Sequence, residues 1–314
     1  MKCVVFDRPG NVENLRICSL PLPRPSAGEV LIRTYCFGIN PIDIKTRFGK
    51  GLYEQLSGHS FIIPGWDICG EVIETGPECQ KLKKGDMVFG MINFPGYGQA
   101  YAEYVAAPEA HLSIKPENIS AEEACGASLA ALTAWQALVQ QATVKSGQTV
   151  LIHAAAGGVG HFAVQIARYS GASIYGTSSE KNLDFIASLG VNHPVDYQKQ
   201  PIENLPQAMD IIIDPLGGTT TSKSVRLLNK GGILVSLVAG VTDEIGQLAD
   251  ELAVRAINYR VSSSGNDMNQ LGSLLRGKSL KTHISGIYSL NEVREAHRQI
   301  ESGRTVGKIV VKIV

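Results

Sequence analysis

The sequence predicts an α/β fold: a doubly wound parallel sheet in the middle of the chain, joined to a β-rich, barrel-like domain built from both chain ends. Three observations predict it. A short apolar run at 149–153 leads through a turn of small residues at 154–160 into Phe162, Ala163, Ile166 and Ala167, which recur at helical spacing. From there to about residue 265, strand-like and helical segments alternate, the pattern of a parallel sheet covered by helices. Residues 1 to about 123 are instead short alternating runs punctuated by glycine and proline.

In chain order, runs such as 30–35 and 70–75 read as antiparallel strands, and the proline-rich 21–25 reads as a connector. Lys83, Lys84, Gly85 and Asp86 make a tight turn into a strand that opens at Met87. Ser120 and Glu123, at capping-box spacing, open a helix where composition shifts to alanine and leucine. The expected parallel strands are 149–153, 173–176, 193–196, 209–214, 233–238 and 256–262, with helices around 180–189 and 219–229. From about Asn266 the tail carries a helix, a strand at 282–288, a helix at 291–302 and a last strand at 308–313. That mix matches the first domain better than the second. The expected domains are therefore 1–123 with 266–314 for substrate, and 124–265 for a cofactor.

At 314 residues the chain is long enough for two cores. Its formal net charge is zero and no charge run stands out, so neither nucleic acid nor an anionic membrane is an expected partner. No apolar stretch reaches membrane-spanning length, and the N-terminus has no signal-peptide pattern. The six cysteines include no C-x-x-C pair and read as small buried residues in a reducing compartment, which points to the cytoplasm.

The turn carries the first functional signal. Strand, small-residue turn and helix together let backbone N–H groups approach a pyrophosphate at a helix N-terminus, here those of Ala156, Gly157, Gly158, Val159 and Gly160. On the pattern G-x-G-x-x-G the run gives Ala155, Gly157 and Gly160, so the first glycine is replaced, and a ligand-free βα turn is the alternative. One βα unit later, an NAD site would place an acidic residue at the strand end. Ser178, Ser179 and Lys181 stand there instead, a set suited to a 2′-phosphate and hence to NADP(H), although serines also cap helices.

These motifs resemble the medium-chain dehydrogenase/reductase superfamily, and within it the zinc-free quinone oxidoreductase branch. The resemblance covers nearly the whole chain. It rests on Gly38-Ile39-Asn40-Pro41-Ile42-Asp43 with Arg47 and Gly49, the segment from Ile63 to Gly70, Gly85-Asp86, Ala102-Glu103-Tyr104, the segment from Leu132 to Leu138, the turn at 154–160, and Gly307-Lys308-Ile309-Val310. It implies a Rossmann cofactor domain and a GroES-like substrate domain. The zinc-dependent relatives place ligands where Asn40, Trp66 with Asp67, and Ala130 stand, and a four-cysteine lobe where Met91 to Gln99 has no cysteine. No bound metal is expected.

By resemblance, Asn40 and Tyr53 are the expected catalytic residues. Asn40 would also join Thr133, Tyr197 and Gly217 in holding the cofactor. Each has a structural alternative: a stabilised Asn-Pro turn, an idle loop tyrosine, helix packing, an aromatic over the sheet edge, and an ordinary βα-loop glycine. The histidines show no ligand spacing and read as structural or solvent-facing. The implied activity is hydride transfer from NADPH to a quinone, whose conjugation spreads the incoming charge so that no Lewis acid is needed. An enone or alkenal double-bond reductase is one alternative; a non-catalytic NADPH-binding sensor or structural protein is another. The run 256–262 has strand character without proline and is expected at a sheet edge, where relatives pair subunits; a homodimer is expected.

Overall fold

The computed structural model describes residues 1–313, leaving only Val314 of the expected substrate domain outside. The chain opens with β1 (Lys2–Val5) and β2 (Arg16–Ser19), an antiparallel pair. Next comes β3 (Glu29–Ile39), followed by the short helices α1 (Pro41–Arg47) and α2 (Tyr53–Leu56). Strands β4 (Asp67–Thr75), β5 (Met87–Met91), β6 (Tyr104–Pro108) and β7 (Ser113–Ile114) complete the first run. The alternating runs at 30–35 and 70–75 thus lie inside β3 and β4. Helix α3 (Ala121–Trp135) starts at the expected capping box: Ser120 N–H donates to Glu123 Oε2 at 2.8 Å, and Glu123 N–H to Ser120 Oγ at 3.0 Å.

The central region alternates as expected. Strand β8 (Thr149–Ile152) leads to α4 (Gly160–Tyr169), and β9 (Ser173–Ser178) to α5 (Leu183–Leu189). Then come β10 (His193–Asp196), β11 (Met209–Asp214), α6 (Thr219–Ser224), β12 (Leu228–Ser236), α7 (Asp243–Glu251) and β13 (Arg255–Asn258). The six strands form one sheet in the order β10-β9-β8-β11-β12-β13, every pair parallel. The order reverses beside β8, the switch point at which ligands bind in doubly wound sheets. Leu151, Ile212, Leu234 and Met209 lie in one buried apolar cluster, as strands covered on both faces require.

Three details correct the sequence reading. Helix α7 has no counterpart in it, although Ile245, Leu248, Ala249 and Leu252 recur at helical spacing behind Thr242, whose hydroxyl accepts the Ile245 N–H at 3.4 Å. Strand β12 begins at Leu228, not 233, because Leu228 pairs with Met209 across a register shift. Strand β13 ends at Asn258, well short of 262.

The tail forms α8 (Gly265–Arg276), β14 (Ile284–Ser289), α9 (Val293–Glu301) and β15 (Lys308–Lys312). Strand β15 returns to pair antiparallel with β3, Ile309 opposite Ile39, so the C-terminal strand belongs to the N-terminal sheet. The chain divides into one unit of Met1–Leu132 with everything from Ser262 onward, and a second of Thr133–Val261. Among the described residues, no helix is long and apolar enough to cross a membrane.

Candidate functional site

In the second unit the decisive turn comes directly after β8. Ala154 takes a left-handed conformation (φ 48°), uncommon without glycine, and Gly157 N–H closes on its carbonyl at 2.8 Å. Ala155 is fully buried and donates to Thr177 O at 2.9 Å, which ties the turn to β9. A Cβ on Gly160 would collide with the Ala154 carbonyl oxygen and lie 2.8 Å from Ala155 Cα, so this position has room for glycine alone. The N–H groups of Gly158, Val159 and Gly160 find no acceptor among the described residues. Three free donors at the start of a ten-residue helix suit a pyrophosphate, and the donor set fits a dinucleotide.

Ser178, Ser179, Lys181, Tyr197 and Gly217 lie at, or follow, the carboxyl ends of the neighbouring strands. Ser178 closes β9, and Tyr197, just past β10, donates its N–H to Ser178 O at 3.2 Å. Ser179 and Lys181 come next; the lysine is exposed, while Glu180 is held by Lys199 in an exposed ion pair. Asp196, which closes β10 opposite Ser178, is the acidic side chain beside the β9 end, its Oδ1 accepting the Gln198 N–H at 3.0 Å. After β11, Asp214 Oδ1 accepts the N–H of Leu216 at 2.8 Å and Gly217 at 3.2 Å, and Gly217 is left-handed at φ 76°. Its other oxygen accepts from Thr221 Oγ1 at 2.5 Å, so this turn is fixed by side-chain hydrogen bonds. His153, at the foot of the turn, is buried between Thr177 Oγ1 (3.1 Å) and Ser224 Oγ (2.8 Å). Burial holds its pKa down, at about 4.

The first unit holds a buried polar cluster at one end of its sheet. Asn40 lies between β3 and α1, capping the helix; its Nδ2 donates to Asp67 Oδ2 at 2.8 Å, and its Oδ1 accepts from the Lys308 ammonium. Lys308 also donates to Ile39 O at 3.2 Å and stands 3.7 Å from Asp67 Oδ2. Asp67 Oδ1 accepts the backbone N–H of Leu129, inside α3, at 2.7 Å. Asn40, Asp67 and Lys308 are all within 3% of full burial. Burial raises the Asp67 pKa, and the Lys308 charge opposes that rise. Gly38 makes the room: a Cβ there would lie 2.7 Å from Asp67 Oδ2.

A second group adjoins it. Asp43 Oδ2 accepts from Asn40 N–H at 2.7 Å and from Tyr101 hydroxyl at 3.0 Å, and that hydroxyl also lies 3.1 Å from His297 Nε2. Burial pushes the Asp43 carboxyl up to about 7, and the nearby Asp67 adds to it. Burial and the Arg47 charge push His297 down to about 3. Arg47 is fully buried and paired with Glu301.

The sequence reading placed Asn40, Asp43, Arg47 and Lys308 in motifs but gave no part to the ammonium, to Tyr101 or to His297. One signal was available: Lys308 opens the run KIVVK, buried at its first four positions, where a charge needs partners. Tyr53 starts α2, half-buried, with its hydroxyl unpartnered among the described residues. Thr133 is buried near the end of α3.

The family described as "Alcohol dehydrogenase GroES-like domain" matches residues 26–117, and that described as "Zinc-binding dehydrogenase" matches 189–311. The solved quinone oxidoreductase of Coxiella burnetii is 34% identical, with a TM-score of 0.94 over 100% of this chain and 99% of its own. The 2-methylene-furan-3-one reductase of Solanum lycopersicum is 31% identical over 99% of this chain and 79% of its own length. The chain belongs to the quinone oxidoreductase branch of the medium-chain dehydrogenase/reductase superfamily. A further member, the Escherichia coli quinone oxidoreductase solved in complex with NADPH, is 25% identical, with a TM-score of 0.87 and full coverage of both chains.

Zinc, implied by one family description, does not fit this member of the superfamily. At the positions that the resemblance assigns to metal ligands, the chain has an amide (Asn40), an indole (Trp66), a methyl group (Ala130) and one carboxylate (Asp67). That carboxylate already faces the Lys308 ammonium, which would repel a second cation. Among the described residues, no group of three or more His, Cys, Asp or Glu could hold a metal ion.

Proposed function

We propose that this quinone oxidoreductase-type chain reduces a quinone or conjugated enone with NADPH and without a metal. The observation that carries the reading is the buried ammonium of Lys308 against Asn40 and Asp67, at the positions where metal-dependent relatives carry ligands. NADPH, when bound, supplies the hydride. The free N–H groups of Gly158, Val159 and Gly160 hold its pyrophosphate, and Ser178, Ser179 and Lys181 its 2′-phosphate, with Ala156, Gly157, Tyr197, Gly217 and Thr133 shaping the rest. Tyr53 offers a hydroxyl to the charge that develops on the acceptor oxygen. Asn40, with one N–H committed to Asp67 and its oxygen to Lys308, orders the loop that carries α1. A conjugated acceptor needs no stronger acid, because its π system spreads the charge.

Double-bond reduction of an enone is the second reading, supported by the Solanum lycopersicum relative, which is named for a reaction on an exocyclic enone. Steady-state NADPH oxidation against a panel of small para-quinones and enones separates the two. Turnover of either class with no metal present and no effect of chelator is expected. Stoichiometric zinc, with activity lost on chelation and restored by zinc, would overturn the metal-free mechanism.

The assembly is read as a homodimer. Strand β13 ends the six-stranded sheet, and Tyr259 N–H donates inward to Ser236 O at 2.8 Å. By the alternation of a parallel ladder, the N–H groups of Ala256 and Asn258 then face the open edge, ready to pair with a second copy. Six free cysteines support a reducing compartment, read as the cytoplasm.

A further inference from the structure

Four elements meet at Lys308. Asn40 directly follows β3, Asp67 opens β4, Leu129 lies within α3, and Lys308 itself opens β15, 268 residues along the chain from Asn40. An ammonium can only donate and a carboxylate can only accept. The Asn40 amide between them therefore has one permitted orientation: oxygen toward Lys308, nitrogen toward Asp67. Asn40 N–H is in turn taken by Asp43, which fixes the first turn of α1. From α1 the order passes on by backbone bonds, Lys50 N–H to Lys45 O at 2.8 Å and Tyr53 N–H to Lys50 O at 2.9 Å. Thr46 Oγ1 adds a link to Leu52 N–H at 3.4 Å.

We propose that Lys308 is a positioning residue for hydride transfer: its ammonium locks the Asn40 amide and thereby the corner from which α1 and the Tyr53 loop extend. It serves as the fixed internal cation of this loop. The proposal rests on the reductase reading above for its kinetic consequence, but not for its structural one. A charged pair is not needed merely to fill the space, since apolar side chains of similar volume are often as stable or more so. The committed amide and the chain of bonds to Tyr53 give the charge a task that packing alone would not.

The test compares the wild type, Lys308→Met and the double variant Lys308→Met/Asp67→Asn. Lys308→Met alone leaves the Asp67 carboxylate unpaired and should melt early. The double variant leaves neither charge and should recover most of the melting temperature. It should still lose at least tenfold in kcat, with KM for the quinone and Kd for NADPH near wild type. Its amide hydrogen exchange over residues 40–53, read by mass spectrometry, should be at least tenfold faster. A double variant with wild-type kcat, or with wild-type exchange over 40–53, would overturn the proposal. Should that variant not fold, Lys308→Ala with and without n-propylammonium takes its place: slowed exchange and restored kcat on adding the amine support positioning, and no response refutes it. A wild type that turns over no quinone or enone would defeat the reductase reading instead, and the exchange data would then decide Lys308 alone.

Discussion

Lys181 is exposed, and with Ser178 and Ser179 it stands where an NAD enzyme would keep an acid. Each charge-assisted hydrogen bond to a 2′-phosphate contributes about 1.5–3 kcal/mol. Lys181→Ala should therefore weaken NADPH binding by about tenfold or more and leave NADH binding unchanged. Calorimetric titration showing equal wild-type affinity for the two cofactors would defeat the assignment. Asp43 governs a different observable. Its folded pKa, about 7, lies above the ordinary value of 3.8, so the fold favours the protonated form. That contribution is complete below the ordinary value and is lost as pH rises through 7, a change on the order of 4 kcal/mol. Asp43→Asn keeps an oxygen for Asn40 N–H and the Tyr101 hydroxyl and removes the titration. The melting temperature of Asp43→Asn minus that of the wild type should climb between pH 4 and pH 8, whereas a flat difference would show that Asp43 does not titrate there. His153 and His297, held neutral by burial, lose stability in the opposite direction as pH falls, but both proteins carry them and the subtraction removes them.

At the scale of the element, the segment from β8 to α4 works because its backbone turns without side chains in the way. Gly160 sits under the Ala154 carbonyl, and Gly157 meets the same oxygen more loosely, its added Cβ at 3.1 Å. Gly160→Ala must move the turn or the first residue of α4, and either shift disperses the free N–H groups of Gly158 and Val159. An NADPH affinity at least tenfold weaker is expected for Gly160→Ala, with a milder loss for Gly157→Ala. Fluorescence titration giving the two variants the same affinity as wild type would show that this turn does not hold the phosphates. Helix α3 shows how a side chain from elsewhere can use a helix: Asp67 takes the Leu129 N–H.

For the whole molecule, the testable question is what covers β13. Asn258 is a poor probe, because its side chain already bonds Val241 N–H and carbonyl at 2.9 and 2.8 Å. The Ala256 N–H faces the same edge, and its methyl group packs on the sheet's buried cluster. Ala256→Pro removes one outward donor from the ladder and is tolerated by an edge strand. Light scattering at micromolar concentration should give a dimer for the wild type and a smaller mass for Ala256→Pro. A monomeric wild type would reject the dimer, and a fully dimeric proline variant would place its seam elsewhere.

The sequence by itself determined the parallel sheet, the glycine turn and the start of α3, because each is written in local spacing: apolar runs bounded by small residues, and Ser120 three positions before Glu123. It determined the residues at the carboxyl ends of β8 to β11 for the same reason, since a βα unit places its connecting residues directly after each strand. Local spacing marks α7 as well, with Ile245, Leu248, Ala249 and Leu252 at helical intervals behind Thr242. Tertiary structure alone decided that β15 lies against β3, and so that Lys308 reaches Asn40 and Asp67. A buried charge leaves no period in the sequence; its partners are set by which strands pair. The burial that holds Asp43 near pH 7 and His297 neutral arises the same way, from elements that the chain brings together only when it folds.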